Sequence, residues 1–391
     1  MIRYVSADFI ITGNGEPLKH GIIAVDEQGE IIDVFPDESE IPISETIERY
    51  EGIIVPGFVN AHCHLELSHM AGKVAPGNGL VNFLSQVIDE RGSDEAIILD
   101  AMRKADQQMQ DKGIVAVGDI SNTLLSKNIK EGSSIYYHTF VEFLGFDPFK
   151  ARIAYDKALA LLRKFSPLPA SLAPHAPYSV SKDLLKLFQK NTEGDTELTT
   201  MHNQESDEEN KFYRYKSGEF LKFYEKLKLN TDFFKPQARN SIQSLLPLFS
   251  SQQKILLVHN TYTSLKDVYF ANRFSRDIHW CFCPKANLYI EGRLPRIEIF
   301  QLHDFNITLG TDSLASNDKL CILSELKAIK EHFPFMSLVK TLPWATINGA
   351  RFLGIDHKYG TIEKGKTPGL NLITNTDGLE LTGESEVRRL V

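Results

Sequence analysis

Two histidines separated by one residue, His62-Cys63-His64, are the first residues whose types and spacing suggest chemistry. Side chains alternate faces along a strand, so both imidazoles point one way and Cys63 the other. Two imidazoles on one face can reach a single ion. Alone such a pair is common in proteins, but here two further groups accompany it. His202 closes the apolar run Leu198-Thr199-Thr200-Met201, and Asp312 closes Ile307-Thr308-Leu309-Gly310-Thr311. Three His and one Asp suit one divalent metal ion, zinc first and Fe2+ second. They leave a coordination position for water, as catalytic sites do.

The elements that would carry these groups alternate along the middle of the chain. Short apolar runs read as strands: Ile53–Val55 leading into Phe58–His62, Ile114–Asp119, Ile135–Glu142, Ser171–His175, Leu198–His202, Ile255–His259, His279–Cys283 and Ile307–Asp312. Most close with His, Asp or Glu. Amphipathic stretches separate them, such as Asp318–His332 with Leu320, Leu323, Leu326 and Ile329 at helical spacing. Eight strands each followed by a helix predict an α/β fold, a (β/α)8 TIM barrel over residues 56–354. Its strand C-termini would form the catalytic rim. The ends read differently. Val5–Thr12 is β-rich, Gly21–Val25 and Ile31–Val34 flank a polar Gly-containing turn, and Tyr359–Lys366 and Leu370–Ile373 look similar near the C-terminus. Residues 1–55 and 355–391 are each too short for a core of their own. They predict one small β-sandwich domain shared by both termini.

Bulk properties exclude several classes. The 391 residues carry a formal net charge of -8, with 43 Lys+Arg against 51 Asp+Glu, which argues against nucleic acid as a partner. No run reaches the about 18 apolar residues of a membrane helix, and Met1–Asp8 lacks the apolar centre of a signal peptide. With 4 Cys and no export signal, the expectation is a reducing cytoplasm without structural disulfides. A small-molecule substrate is the expected partner, and a symmetric homodimer is the prior for assembly. His64-Leu65-Glu66 matches half of another zinc deaminase signature, but no P-C-x-x-C follows. H-E-x-x-H, Walker A and G-x-S-x-G are absent too.

The segment Pro56-Gly57-Phe58-Val59-Asn60-Ala61-His62-Cys63-His64-Leu65-Glu66 resembles the first barrel strand of the amidohydrolase superfamily. Ala173–Ser179, His202-Asn203-Gln204-Glu205, Leu257–His259, Cys283–Leu288, Leu309–Ser313, Ala345–Gly354 and Gly360–Lys366 are similar to its zinc-dependent deaminase and chlorohydrolase branch. They follow in order along nearly the whole chain. The resemblance implies metal ligands at His62, His64, His202 and Asp312, acid/base roles for His259 and Glu205, and a substrate contact at His175. A single metal is implied, because the fourth strand closes with His175 where many relatives carry a bridging Lys. Thr367-Pro368-Gly369 departs from the family's Ala-Asp pair before the last strand.

The implied reaction is hydrolytic deamination of an amino-substituted purine nucleoside-type ring. Asp312 and His259 would take the proton of a metal-activated water, and Glu205 would protonate a ring nitrogen and help ammonia leave. Glu66, after the first strand, and Glu142, closing the third, are candidates to face the pocket. Ser313 is a candidate to support Asp312, and it joins His175 and Glu66 as the expected substrate-side group. His20, His69, His138, His279, His303, His332 and His357 read as solvated or packed, and Cys281 and Cys283 as core. Opening of a cyclic amide or halogenated ring, and a barrel without activity, are the alternatives. His64–Ser68 looks like the branch acting on 6-aminopurine nucleosides. The acid-recognising Arg of its adenosylhomocysteine members is not evident in His69–Lys73, which favours aminofutalosine or another aminated purine.

Overall fold

The computed structural model describes residues 2–41, 45–192, 197–274, 277–301 and 305–391; His303 lies outside them. Eight strands run through the middle of the chain: β1 Phe58–Cys63, β2 Ile114–Ser121, β3 Tyr136–Phe143, β4 Ala170–Pro174, β5 Leu198–Asn203, β6 Lys254–His259, β7 Asp277–Phe282 and β8 Asn306–Leu309. β1 to β4 form one parallel sheet in sequence order, and β5 to β8 form another. Every residue of β1 and β2 is buried. Parallel strands covered on both faces read as unbroken apolar runs, which is why the sequence marks them clearly.

Main-chain bonds connect the two sheets at both edges. His202 N donates to His175 O at 3.0 Å, and Thr311 N and Asp312 N both donate to His62 O at 3.0 and 3.1 Å. Strands of both sheets also feed one small core. Val59, Ala61, Ala116, Phe140, Leu256, Val258 and Cys281 pack there with Phe352 of the helix Ile347–Leu353. A larger core lies between the sheets and the helices that follow the strands.

Both ends of the chain enter one seven-stranded sheet. Its path runs Glu386–Arg389, Leu370–Thr374, Ile47–Pro56, Arg3–Ile10, Ile22–Val25, Ile31–Phe35, with Leu18–Lys19 paired to Arg3–Ile10. Three expectations need correction. Ile53–Val55 belongs to this terminal sheet, where Ile53 pairs with Phe9 and Ile373, and the parallel series starts only after Gly57. Tyr359–Lys366 forms turns instead of a strand, though Ile362 N still reaches Thr12 O at 2.8 Å. The helix expected over Asp318–His332 begins at Ile322. Asn317 Nδ2 donates to Thr311 O and Glu325 Oε1, which holds the preceding residues in a loop.

Candidate active site

The strand ends of β1, β5 and β8 bring four expected ligands together. His62 Nε2 and His64 Nε2 lie 3.2 Å apart, as do His64 Nε2 and His202 Nε2. Asp312 Oδ1 is 3.5 Å from His62 Nε2 and 3.4 Å from His64 Nε2. All four ligand atoms fall within 4.8 Å of one another. β8 can approach β1 this closely because residue 310 is glycine: a Cβ there would stand 2.8 Å from both Cβ and O of His62. Asn60 adds a clamp, accepting from Thr311 N at 3.0 Å and donating to Thr311 Oγ1 at 2.8 Å.

The electrostatics keep these groups in ligand form. Burial drives His64 down to about 3 and His202 well below the ordinary imidazole value, so both rings are neutral near pH 7. Asp312 is held below the usual carboxylate range: burial raises it, but the hydrogen bond to His62 and the neighbouring imidazoles outweigh that. His202 Nδ1 is 2.7 Å from His175 O, which makes it the protonated nitrogen and leaves the Nε2 lone pair for the cluster. Ser316 Oγ donates to Asp312 Oδ2. Imidazole lone pairs converging at 3.2 Å, beside one ionised carboxylate, form a donor set that fits a divalent cation of zinc type. Glu142, His175 and His202 form a second convergent group. Its His202 already directs Nδ1 to a main-chain carbonyl and Nε2 to the first group.

Glu205 and His259 face the same space. Glu205 Oε1 is 3.6 Å from His259 Nε2, and both side chains are buried. Burial pushes the Glu205 carboxyl well above its ordinary value and His259 down to about 4. Burial thus favours the neutral form of both groups. Gln204, His259, Asn260 and Asp312 all adopt positive φ, at 46°, 72°, 58° and 56°. Four non-glycine residues in the left-handed region at strand ends mark backbone strain concentrated on this rim.

A cavity of about 450 Å³ opens beside these groups, within the range of small-molecule sites. Its polar end holds His64, Glu142, His175, His202, Glu205, His259, Asp312 and Ser313. Its far wall is apolar, with Leu80, Phe83, Leu84 and Val87 from the helix Gly79–Glu90 and Phe223 and Tyr224 from the helix Glu219–Lys226. His175 Nδ1 is 2.6 Å from Ser179 Oγ, which orients the ring. Glu142 accepts from Asn122 Nδ2 at 2.9 Å.

Glu66 is placed differently from the other expected substrate-side residues. Its carboxylate accepts from Asn122 N, Thr123 N and Thr123 Oγ1 at 3.0, 3.0 and 2.7 Å and lines an adjacent smaller cavity. Ser313 Oγ caps Ala315 N at 3.2 Å, and it is Ser316 that reaches Asp312. The remaining described histidines stay outside the cluster. His20, His332 and His357 are exposed and His69 is half-buried; His138 bonds Ser171 and His279 pairs with Asp277. The residues the sequence left unassigned here are Asn60, Ser316, Asn122 and the apolar wall. Asn60 stands inside the first motif and Ser316 four positions after Asp312, so spacing was an available signal for these two. The wall residues come from helices, and which helical face meets a cavity depends on tertiary packing.

The chain matches known proteins over most of its length. The amidohydrolase family model matches residues 53–384. An adenosine deaminase of Helicobacter pylori is 30% identical over 328 residues, covering 82% of this chain and 78% of that protein. The crystal structure of Helicobacter pylori aminofutalosine deaminase in complex with methylthio-coformycin superposes with a TM-score of 0.83 at 24% identity, over 100% of both chains. An adenosine deaminase from Xanthomonas campestris with bound zinc gives a TM-score of 0.74 at 19% identity, over 95% of this chain and 84% of that one. At these identities the structural likenesses speak to fold alone. The match to more than half of the chain, together with the 30% identical relative, establishes that this protein belongs to the amidohydrolase family.

Proposed function

We propose that this chain hydrolytically deaminates an amino-substituted purine nucleoside-type ring, using one zinc ion held by His62, His64, His202 and Asp312. The observation that carries the reading is the pairing of two buried groups, Glu205 and His259, 3.6 Å apart beside that ligand set, where burial raises the carboxyl and lowers the imidazole. The two parallel sheets are read as halves of one closed (β/α)8 barrel, supported by the main-chain bonds at both edges. The terminal sheet is read as a separate β-sandwich unit curled around Val5, Ile23, Ile54 and Leu372.

His62, His64, His202 and Asp312 would hold the cation, which when bound would supply an acidified water, its pKa brought from 15.7 toward about 7. Asp312 and His259 accept the proton released as water oxygen bonds to the amino-bearing ring carbon. Glu205 donates its proton to the adjacent ring nitrogen, so the tetrahedral adduct forms without charge building on the ring. The carbon–nitrogen bond to the amino group then breaks as a proton returned from Asp312 or His259 makes the leaving group ammonia, while the adduct's hydroxyl proton passes to Glu205, giving the carbonyl product and restoring the carboxyl. His175, oriented by Ser179, and Glu142 are read as polar contacts to the substrate. The apolar wall would take the part of the substrate remote from the reacting carbon. The family relatives support the nucleoside class: the one 30% identical is an adenosine deaminase.

The test is an ammonia-release panel on metal-analysed protein, with adenine nucleosides, guanine, cytosine and s-triazines as substrates. Ammonia from one or more adenine nucleosides, lost in Asp312→Asn, is the expected result. Zinc-loaded protein that releases no ammonia from any of them would overturn the assignment.

A further inference from the structure

A fully buried ion pair lies directly behind β1, outside the cavity. Lys130 Nζ stands 2.6 Å from Asp119 Oδ2, and neither side chain has any exposure. Lys130 also donates to Ser121 Oγ at 3.0 Å and Thr139 Oγ1 at 2.9 Å. Its three ammonium protons thus meet three acceptors. Ser121 donates to Asp119 Oδ2 at 3.3 Å and is 3.1 Å from Ser126 Oγ. Burying two charges costs several kcal/mol per ion, and replacing such pairs by apolar residues is often neutral or stabilising. Fold stability alone therefore does not account for this pair.

Its other oxygen suggests the reason. The parallel ladder between β1 and β2 ends at the pair Cys63–Asp119. Beyond it the chain leaves the sheet at His64, at φ -121° and ψ 81°, and turns into the short helix Leu65–Met70. Leu65 N, two residues past the last ladder pair, donates to Asp119 Oδ1 at 2.8 Å. That amide belongs to the His64–Leu65 peptide plane, so fixing it restricts ψ of His64, the backbone from which the ring projects.

We infer that Asp119, oriented by Lys130, is a positioning residue that sets the His64 imidazole at the ligand set through the Leu65 amide. This rests on the metal-site reading above. Asp119 touches neither the ligand atoms nor the cavity. Its carboxylate substitutes for the ladder acceptor that β2 no longer offers, while Lys130, Ser121 and Thr139 stop it from rotating away.

Two double variants that each remove the buried charges together provide the test. Asp119→Asn/Lys130→Met retains an acceptor for Leu65 N, whereas Asp119→Leu/Lys130→Met does not. Zinc affinity by chelator competition is expected to stay within a few-fold of wild type in the first and to weaken about 10- to 100-fold in the second. The visible spectrum of the cobalt-substituted protein should change only in the second. Hydrogen exchange of the Leu65 amide in the wild-type holoprotein is independent of whether a variant folds, and it should match the core strands. Equal zinc affinities and spectra in the two variants, or a Leu65 amide exchanging as freely as exposed loops, would overturn the inference. A wild-type chain that takes up no zinc would overturn the metal-site reading along with it.

Discussion

Glu205 and Glu209 sit four residues apart, both buried, and burial raises both carboxyls, yet they should answer to different measurements. Glu205 faces the cavity. Its replacement by Gln keeps the shape and removes the transferable proton, so turnover should fall about 10²–10⁴-fold. Zinc content should be unchanged, because Glu205 is not in the ligand set; normal turnover in zinc-loaded Glu205→Gln would end its assignment as the acid. Glu209 accepts from Gln204 N at 3.0 Å and from Ser241 Oγ, and its second oxygen has no hydrogen-bond partner among the described residues. Burial, only partly opposed by those two bonds, pushes it up to about 8 from 4.5. Between those values the folded chain holds a proton that the unfolded chain releases, so stability falls as pH rises. Its share of that slope is at most about 1.4 kcal/mol per pH unit. Glu209→Gln removes this term, so thermal midpoints measured from pH 5 to 8 should decline less steeply in the variant than in wild type. A variant whose profile parallels wild type would show that Glu209 does not change protonation on unfolding. Glu142 and Glu325, each raised to about 7 by burial, contribute with the same sign, so the slope should flatten without vanishing.

Strands and helices were unequally legible in the sequence, and the reason is physical. The runs ending at His202, His259 and Asp312 stood out because parallel strands buried on both faces leave continuous apolar stretches, and their polar terminal residue is then conspicuous. Tyr359–Lys366 has the composition of a strand but only isolated main-chain bonds to Thr12 and Ile31, so it turns instead. Lys130 could not be assigned from sequence, since a lysine in a short helix reads as solvated until its burial is seen. The junction between the terminal sheet and β1 was hidden in the same way, because it depends on a close approach. Gly57 N donates to Gly369 O at 3.1 Å, within the segment that departs from the family pattern. A Cβ on Gly57 would stand 2.4 Å from Val115 Cγ1 and 2.5 Å from Pro368 O. Relief requires main-chain movement on at least one side, so Gly57→Ala should destabilise by about 1–3 kcal/mol, the cost of overpacking. The displacement would be transmitted along β1 to His62, so zinc affinity should weaken as well. A Gly57→Ala protein that matches wild type in both thermal midpoint and zinc affinity would show that this junction yields freely.

At the scale of the whole molecule, the proposed ligand set draws on the ends of the first, fifth and eighth strands, so occupancy by a cation should be felt as global stability. Chelation leaves three buried imidazoles and one buried carboxylate facing one another without a cation. Binding to the folded state alone adds about 2.7 kcal/mol at a ligand concentration of 100 Kd. At about 2.1 cal/mol/K of unfolding entropy per residue, a chain of 391 residues shifts by about 1 °C per kcal/mol, so chelator should lower the thermal midpoint by about 3 °C, and added zinc should restore it. Asp312 makes the origin of that change testable. In the zinc-loaded protein Asp312→Asn removes the one anionic ligand and should cost much of the increment. In the chelated protein the same substitution removes a buried carboxylate whose hydrogen bond to His62 and neighbouring imidazoles still outweigh its burial, with Ser316 donating to it as well. It should therefore cost stability there too, but less than in the zinc-loaded protein. The four thermal midpoints of wild type and Asp312→Asn, each with zinc and with chelator, therefore form a cycle with a large coupling. A cycle that closes without coupling would mean that zinc stabilises the chain from somewhere other than the β1, β5 and β8 strand ends.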